Sequence, residues 1–273
     1  MSYVVNKYFD ALQSNTMPSS SPERQNHDFS IKSLVENTST LLKSSDGTNF
    51  IYKITLPKNR DIDIKDFNKV GYEESVSNKQ KENNISISIQ KLLEIGATID
   101  FQRIQSKTLS LNFSLIDSHL PEIMAYLLYY RYLYEQKKLI ELVEILKSKN
   151  PLHYNTSFGH PFYEYKLKNL LAASALGMTP EAVWEGKHDA TKGFILAKSS
   201  GERLCYHIYN IDEFYNSLLN NTAIEQTAKS ADKLKIEKDK KDKDLKPYKS
   251  GLVYEESGEL FIKLNLQIRF NKK

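Results

Sequence analysis

The chain has 273 residues, 40% of them hydrophobic and 26% charged, which is the composition of a globular protein large enough to bury a substantial core. No run approaches the roughly 20 apolar residues of a membrane helix, the first residues lack a signal-peptide pattern, and the single cysteine, Cys205, excludes an internal disulfide. A soluble, cytoplasmic protein is therefore predicted. The net charge of +4 equals the excess of nine lysines over five acidic residues within 229–249, so charge alone does not indicate a nucleic-acid partner.

The N-terminal half predicts short strands and one long helix. Residues 1–27 begin with a helix-like piece and continue as a Ser-, Asn- and Pro-rich stretch typical of a flexible segment. A helix is predicted over 82–95, because Gly96 is the residue type that ends helices. Strands are predicted at 29–32, 49–56 and 99–104.

The middle of the chain predicts helices and the C-terminal part predicts hairpins. Ser118 is predicted to cap a helix with Pro121 in its first turn, and a second helical pattern runs to Leu146. Residues 229–249 are a Lys/Asp-rich run, interpreted as a solvated loop or exposed helix, with nonspecific phosphate contact as the alternative. Further helices are predicted at 162–176, from Thr179 through Trp184 and at 212–219, and hairpins at 193–198 with 203–209 and at 252–256 with 260–270.

Along the last predicted strand, apolar residues alternate with polar ones. Side chains of a strand alternate between two faces, so one face is predicted to pack inward. The other carries amide and cationic side chains with no acidic residue among them, and these suit base edges, Arg or Lys toward guanine and Asn or Gln toward adenine. A solvent-exposed sheet face is the more ordinary interpretation. The residues of this polar row are Lys263, Asn265, Gln267 and Arg269.

Two segments place a lysine two residues after a potential metal ligand: Ser30 with Lys32, and Asp63 with Lys65. Metal-dependent phosphodiester cleavage on a strand needs an acidic ligand, a second ligand two residues before a lysine, and the lysine itself to steady the attacking water. The Ser30–Lys32 spacing alone is most often coincidence. Asp63 and Lys65 lie in a polar stretch after Pro57 and are interpreted as a loop or edge without a catalytic role.

Other candidate sites are weaker. Cys205 and His207 share a strand face, but a buried thiol is the more ordinary interpretation. The segment from Trp184 to Gly193 joins a predicted helix to a hairpin, and it is equally consistent with a functional loop and with a simple connection. The sequence contains no GxxxxGK[ST], no GxGxxG and no paired CxxC, so nucleotide-dependent chemistry and structural zinc are not supported.

Taken together, several segments resemble the HpaII-type restriction endonucleases. The run Phe29–Ser33, followed by Ser39–Leu42 and Thr48–Phe50, is similar to the family segments GFSIKS, STLLNAS and ATNF. More matches follow in the same order, so the resemblance covers about 28–273. Colinearity carries it, rather than any one motif. The further segments are Ile116–Ile123, Leu176–Pro180, Trp184–Gly193, Leu204–Asn210, Leu218–Thr222 and Leu264–Phe270.

The resemblance implies a mixed α/β (α+β) fold with a PD-(D/E)xK nuclease core, a helical middle and C-terminal antiparallel hairpins. It also implies a type II enzyme that cleaves unmethylated double-stranded DNA at CCGG with Mg²⁺, a cognate cytosine methyltransferase acting at the same site, and a homodimer as one form of the enzyme. Lys32 matches the catalytic lysine, and Ser30 takes the place of the second acidic ligand. With the polar row, Asp189 and Thr191 are predicted DNA contacts.

The sequence departs from the family pattern in two places. The family carries a longer N-terminal region with an aspartate strand, whereas 27 residues precede Asp28 here. Asp28 stands where a glycine is expected; as the nearest carboxylate, it is the predicted metal ligand. The 229–249 run looks like an insertion. The nuclease core is therefore expected to be incomplete at its N-terminus, in a shortened relative of the family.

The sequence thus predicts a flexible 1–27 segment and one restriction-endonuclease-like domain over 28–273, with 229–249 as a loop insertion. The first functional hypothesis is a Mg²⁺-dependent site-specific endonuclease. The alternative is a catalytically inactive relative that only binds DNA, because phosphate and base contacts do not depend on the catalytic metal. A structural or protein-binding role is the third hypothesis.

Overall fold

The computed structural model describes residues 29–35, 38–44, 46–68, 84–188, 193–198, 203–225 and 250–271. The predicted flexible segment 1–27 and the 229–249 run lie outside these ranges. The strands are β1 (Phe29–Val35), β2 (Thr38–Leu42), β3 (Asn49–Thr55), β4 (Thr98–Ile104), β5 (Gly193–Lys198), β6 (Arg203–His207), β7 (Thr222–Ile224), β8 (Val253–Glu256), β9 (Glu259–Asn265) and β10 (Ile268–Asn271). The helices are α1 (Asn84–Glu94), α2 (Lys107–Ile116), α3 (Leu120–Leu133), α4 (Leu139–Lys149), α5 (Phe162–Ala175) and α6 (Ile211–Asn220).

The first sheet has six strands in the order β6-β5-β1-β2-β10-β7. β1 lies inside it, antiparallel to β2 and parallel to β5. Parallel neighbours need a long crossover, and the connection from β1 to β5 supplies one that includes helices α1 to α5. The N-terminal strand is therefore fixed on one side by the strand that directly follows it and on the other by β5, which comes much later in the chain.

The second sheet is antiparallel, with the order β4-β3-β9-β8. Its inner strand β3 is buried almost throughout, with Phe50, Tyr52 and Ile54 in the main core and Ile51 in a small cluster with Tyr254 and Phe261. The main core also contains side chains of helices α1 to α6 and of the first sheet. Both sheets therefore pack on one shared set of helices.

Helix α3 connects the two sheets. Its residues are buried around most of its circumference, as expected for a helix with neighbours on every side. The hydroxyl of Tyr52 on β3 donates to the carbonyl of Ala125 at 2.7 Å, and Arg131 Nε donates to the carbonyl of Ile224 on β7 at 2.9 Å. These buried hydrogen bonds fix the helix against one strand of each sheet. Removing one partner of either bond would cost about 1–3 kcal/mol of stability, because the other partner would stay buried without a hydrogen bond.

The predicted strand over 260–270 is wrong as one element, since the chain passes from the second sheet to the first in its middle. β9 ends at Asn265 and β10 begins at Ile268. Between them, the amide of Leu266 donates to the carbonyl of Thr48, and the carbonyl of Gln267 accepts from the amide of Glu225, each at 2.9 Å. The break therefore exists because the backbone has partners in two different sheets.

Most other predicted elements are confirmed, and so is the mixed α/β fold. Gly96 follows α1 with a φ of +82°, and the predicted hairpins correspond to β5–β6 and β8–β9. Ser118 is not a cap, because α3 begins after His119. The short helix predicted from Thr179 is also wrong, since that segment is irregular.

Among the described residues, no helix is both long and apolar enough to span a lipid bilayer.

Candidate functional site

The predicted catalytic residues lie on the central strand β1. In the parallel register with β5, Ser30 is opposite Phe194 and Lys32 is opposite Leu196. On the other side, Leu34 is opposite Ser39 of β2. The side chains of β1 lie outside the described part of the structure, so the roles of Ser30 and Lys32 stay predictions.

The predicted metal site cannot be built from the described residues. Asp28, Asp189 and Thr191 lie outside them. Within the described ranges, no group of three or more His, Cys, Asp or Glu side chains is arranged to hold a metal ion. These ranges alone therefore do not provide the carboxylate cluster that Mg²⁺ prefers, and the assignment of Asp28 stays a prediction.

The polar row of the last strand does not form an exposed face. Lys263, Asn265 and Gln267 are only 3%, 3% and 4% exposed, whereas Arg269 is half-buried. β9 lies between β3 and β8, and Ser44 and Thr48 lie against the end of the row. That these residues contact DNA stays a prediction, and burial of the first three counts against direct contact by them.

Asn265 is the centre of a buried amide network. Its Nδ2 donates to Asn49 Oδ1 at 2.8 Å and to Thr48 Oγ1 at 3.2 Å, and its backbone amide donates to Ser250 Oγ at 3.0 Å. Asn49 in turn donates to Gln105 Oε1 at 3.2 Å. The network joins four chain segments at the point where β9 ends, so it stabilises the crossing between the sheets.

Lys263 lies over an aromatic ring. Its Nζ is 5.3 Å from the ring centroid of Tyr254, a cation–π distance. Burial lowers the pKa of Lys263, and the nearby carboxylates of Asp46 and Glu256 partly offset that effect. The surroundings of this ammonium are therefore those of a side chain packed within the protein.

Gln267 and Arg269 form a pair. With the Gln267 amide oxygen turned toward the guanidinium, it accepts from Arg269 Nη2 at 2.7 Å and from Arg269 Nε at 2.8 Å. A single acceptor that binds two donors of the planar guanidinium restrains its orientation. Gln267 therefore restrains the side chain of Arg269, which is the most exposed residue of the polar row.

A buried polar residue that the sequence analysis missed is Asn112 on α2, which is 2% exposed. Its Nδ2 donates to the carbonyls of Thr179 at 3.2 Å and Ala182 at 2.8 Å, and its Oδ1 accepts from the amide of Trp184 at 3.0 Å. These bonds occupy backbone groups that a helix would use, which is why 179–184 is irregular. The sequence signal is an amide within an apolar helix face, between Leu109 and Phe113.

Comparison with known proteins decides the family. A family model described as HpaII restriction endonuclease matches residues 17–270. This chain belongs to the HpaII restriction endonuclease family. The chain is similar to the type II restriction enzyme HpaII of Haemophilus parainfluenzae, with 36% identity over 242 residues. The aligned residues cover 89% of this chain and 59% of that enzyme. The chain thus spans about three-fifths of the length of this relative, and no solved structure matches it.

Two other sequence candidates have structural explanations in this member of the HpaII restriction endonuclease family. Asp63 caps the helical turn at 64–68, since its Oδ1 accepts from the amide of Asp66 at 2.9 Å. Cys205 of β6 is half-buried opposite Ile195, and burial raises the pKa of its thiol. A raised pKa disfavours the nucleophilic thiolate, so the interpretation of Cys205 as a packing residue is supported.

Proposed function

We propose that this chain is a type II restriction endonuclease that hydrolyses phosphodiester bonds of unmethylated double-stranded DNA at CCGG with Mg²⁺. The observation that carries the proposal is the family match over 17–270, which includes β1 and the polar row. The identity of 36% to a type II restriction enzyme supports it. The chain spans 59% of the length of that enzyme. The catalytic activity and the sequence specificity of this chain are therefore proposed here.

In this proposal Lys32 is the catalytic lysine. An ammonium group beside the scissile phosphate stabilises its negative charge and steadies the attacking water as that water loses a proton. Ser30 lies on the same strand two positions earlier, and Asp28 is the ligand that this chain would offer to Mg²⁺, which polarises the phosphate when bound. The interior position of β1 supports the assignment, because a strand with two neighbours holds side chains more firmly than a loop does.

DNA contact is assigned first to Arg269, with Gln267 orienting it. An arginine held in plane suits guanine or phosphate, both of which offer paired acceptors. Lys263 and Asn265 support this region from within, because their burial separates them from solvent. Asp189 and Thr191 remain proposed contacts on the grounds of the resemblance.

The test is an incubation of the purified chain with unmethylated plasmid in Mg²⁺ or in EDTA, beside Lys32→Ala. A matched control is Lys53→Ala, which removes a strand lysine of the second sheet that pairs with Glu259. We expect discrete fragments with the unchanged chain and with Lys53→Ala in Mg²⁺, and none with Lys32→Ala or in EDTA. Mapping the fragment ends identifies the cleaved sequence.

A second plasmid, methylated at the CCGG cytosines, tests the relation to a methyltransferase. We expect it to stay intact, because a modified cytosine presents a different edge in the major groove. Intact unmethylated plasmid together with a salt-dependent gel shift would instead favour the inactive DNA-binding alternative. No DNA binding at low salt would favour the structural role. Sedimentation with and without DNA tests for the proposed homodimer.

A further inference from the structure

The clamped loop, Thr179–His188, has a fixed backbone and an exposed outer surface. Inside, Asn112 binds three of its backbone groups. Trp184 is half-buried and packs against the main core; its Nε1 donates to the carbonyl of Lys187 at 2.6 Å, and its ring lies 5.9 Å from the ring of His188. Val183 is 80% exposed. Partner recognition loses less entropy on a loop that is already ordered, and binding residues are often carried by loops that a rigid scaffold positions.

The clamped loop leads directly toward the predicted catalytic strand. Four residues separate His188 from Gly193, and Gly193 lies opposite Phe29 in the parallel pair of β5 and β1. A five-residue step spans at most about 18 Å, and neighbouring strands are about 5 Å apart. His188 is therefore within roughly 23 Å of the start of β1, less than one DNA turn of about 34 Å. The clamped loop therefore ends within the length of one DNA turn from β1.

We propose that the clamped loop is a preformed contact for the DNA backbone, with Asn112 as its positioning residue. The part of the Trp184 ring that is not packed against the core offers an apolar surface to deoxyribose, and the exposed Lys187 and His188 offer cationic or polar groups to phosphate. The ion pair of Lys187 with Glu185, at 3.3 Å, is exposed on both sides, so it holds the lysine only weakly. This inference rests on the proposed function, because it requires the chain to bind duplex DNA.

Trp184 makes the proposal directly measurable, because the chain contains one tryptophan. Binding of a dye-labelled CCGG duplex to the full chain is followed by anisotropy in EDTA, which prevents cleavage. Acrylamide quenching of Trp184 is then measured with and without saturating unlabelled duplex. We expect the quenching constant to fall when DNA binds. A rise in anisotropy with an unchanged quenching constant overturns the inference, whereas no rise in anisotropy rejects the proposed function itself.

Asn112→Asp tests the positioning role with a side chain of the same shape. The carboxylate still accepts from the amide of Trp184, but it repels the carbonyls of Thr179 and Ala182, to which Asn112 donates. We expect greater Trp184 quenching in the free protein and DNA affinity about tenfold lower, the loss expected for two hydrogen bonds. The control Asn221→Asp loses a similar bond to the carbonyl of Ser217, 2.9 Å long, at the end of α6.

Equal DNA affinity of Asn112→Asp and Asn221→Asp, with Trp184 more exposed in the former, would contradict the role of Asn112. Both variants are compared at equal folded fraction, checked by circular dichroism. If Asn112→Asp does not fold, the quenching measurement on the unchanged chain still decides whether the clamped loop contacts DNA.

Discussion

With its amide turned toward the guanidinium, Gln267 accepts two hydrogen bonds from Arg269 at its side-chain oxygen. One comes from Arg269 Nη2 at 2.7 Å and the other from Arg269 Nε at 2.8 Å. The residues are two positions apart, and the β-bulge at 268–269 lies between them. In a regular strand, residues two positions apart lie on the same face. Here Gln267 is buried, whereas Arg269 is half-buried. The pair therefore combines an internal acceptor with a more accessible cation.

We expect Gln267→Met to weaken DNA binding by about tenfold, because methionine fills similar space without an acceptor and the loss of charge-assisted hydrogen bonds leaves the guanidinium less restrained. Arg269→Gln should reduce the slope of log affinity against log salt by about one. Fluorescence anisotropy over a salt series measures both. Arg103→Gln, which removes a cation of β4 near Glu256, serves as the control; equal slopes for Arg269→Gln and the control would exclude phosphate contact by Arg269.

Asn265→Leu should destabilise the fold by about 2 kcal/mol, because it leaves acceptors of Asn49 and Thr48 buried without their donor. Urea unfolding followed by circular dichroism measures the change. Asn216→Leu, at an exposed position on α6, is the control and should change stability little. Unchanged stability of Asn265→Leu with lost DNA binding would support direct DNA contact by Asn265, as the alternation in the sequence first suggested.

Alanine substitutions at two glycines distinguish the cost of backbone strain from the cost of a steric clash. Gly251 and Gly258 have φ angles of +85° and +79°, so alanine at either should cost about 1–2 kcal/mol in backbone strain. A Cβ at Gly251 would also lie 2.5 Å from Ile85 Cγ1, whereas nothing lies within 4 Å at Gly258. We expect Gly251→Ala to be the more destabilising variant, by about a further 1–3 kcal/mol of overpacking. Thermal unfolding of the two variants gives the comparison, and equal losses would place α1 farther from residue 251.

Alkaline pH should destabilise the protein through the buried Tyr130 and the half-buried Tyr154. Burial raises the pKa of Tyr130 and of Tyr154 to about 12 each, against an ordinary value of about 10 in the unfolded chain. The stability linked to the neutral phenols is therefore fully present below pH ~10 and is lost as the pH rises from there toward ~12.

Tyr154→Phe should show a shallower loss of stability over this window than the unchanged chain does. Urea midpoints measured between pH 9 and 11.5 test this, and comparing variants cancels the titration of lysines in the same range. Tyr209→Phe, at a position 91% exposed, is the control. Identical pH profiles for all three proteins would contradict the raised pKa of Tyr154.

Local patterns predicted the elements whose causes are local. Gly96 ends α1 because its own backbone adopts a positive φ, and the Ser257–Gly258 turn between β8 and β9 follows from residues that tolerate the left-handed region. The break at 266–267 has a different cause. It depends on Thr48 and Glu225, which are distant in sequence, and no alternation of side chains contains that information.

The site was predictable to a smaller degree, for the same reason. Alternation predicted a shared face for the polar residues of the last strand, but their exposure depends on β3, β8 and Thr48, which cover them. Asn112 was missed because its partners lie about 70 residues later in the chain. The colinear segments did identify the family, since their order reflects common descent rather than any single contact.

The passage of the chain between the two sheets has a consequence for biosynthesis. β8 and β9 supply half of the second sheet, and β10 lies between β2 and β7 in the first. A nascent chain therefore cannot complete the second sheet before Asn265, or the first sheet before Asn271, has left the ribosome, although β1 precedes both by more than 200 residues. Folding must wait for contacts of very long sequence separation, which are slow to form. During that delay, β2 has no β10 beside it, and chaperones have time to bind.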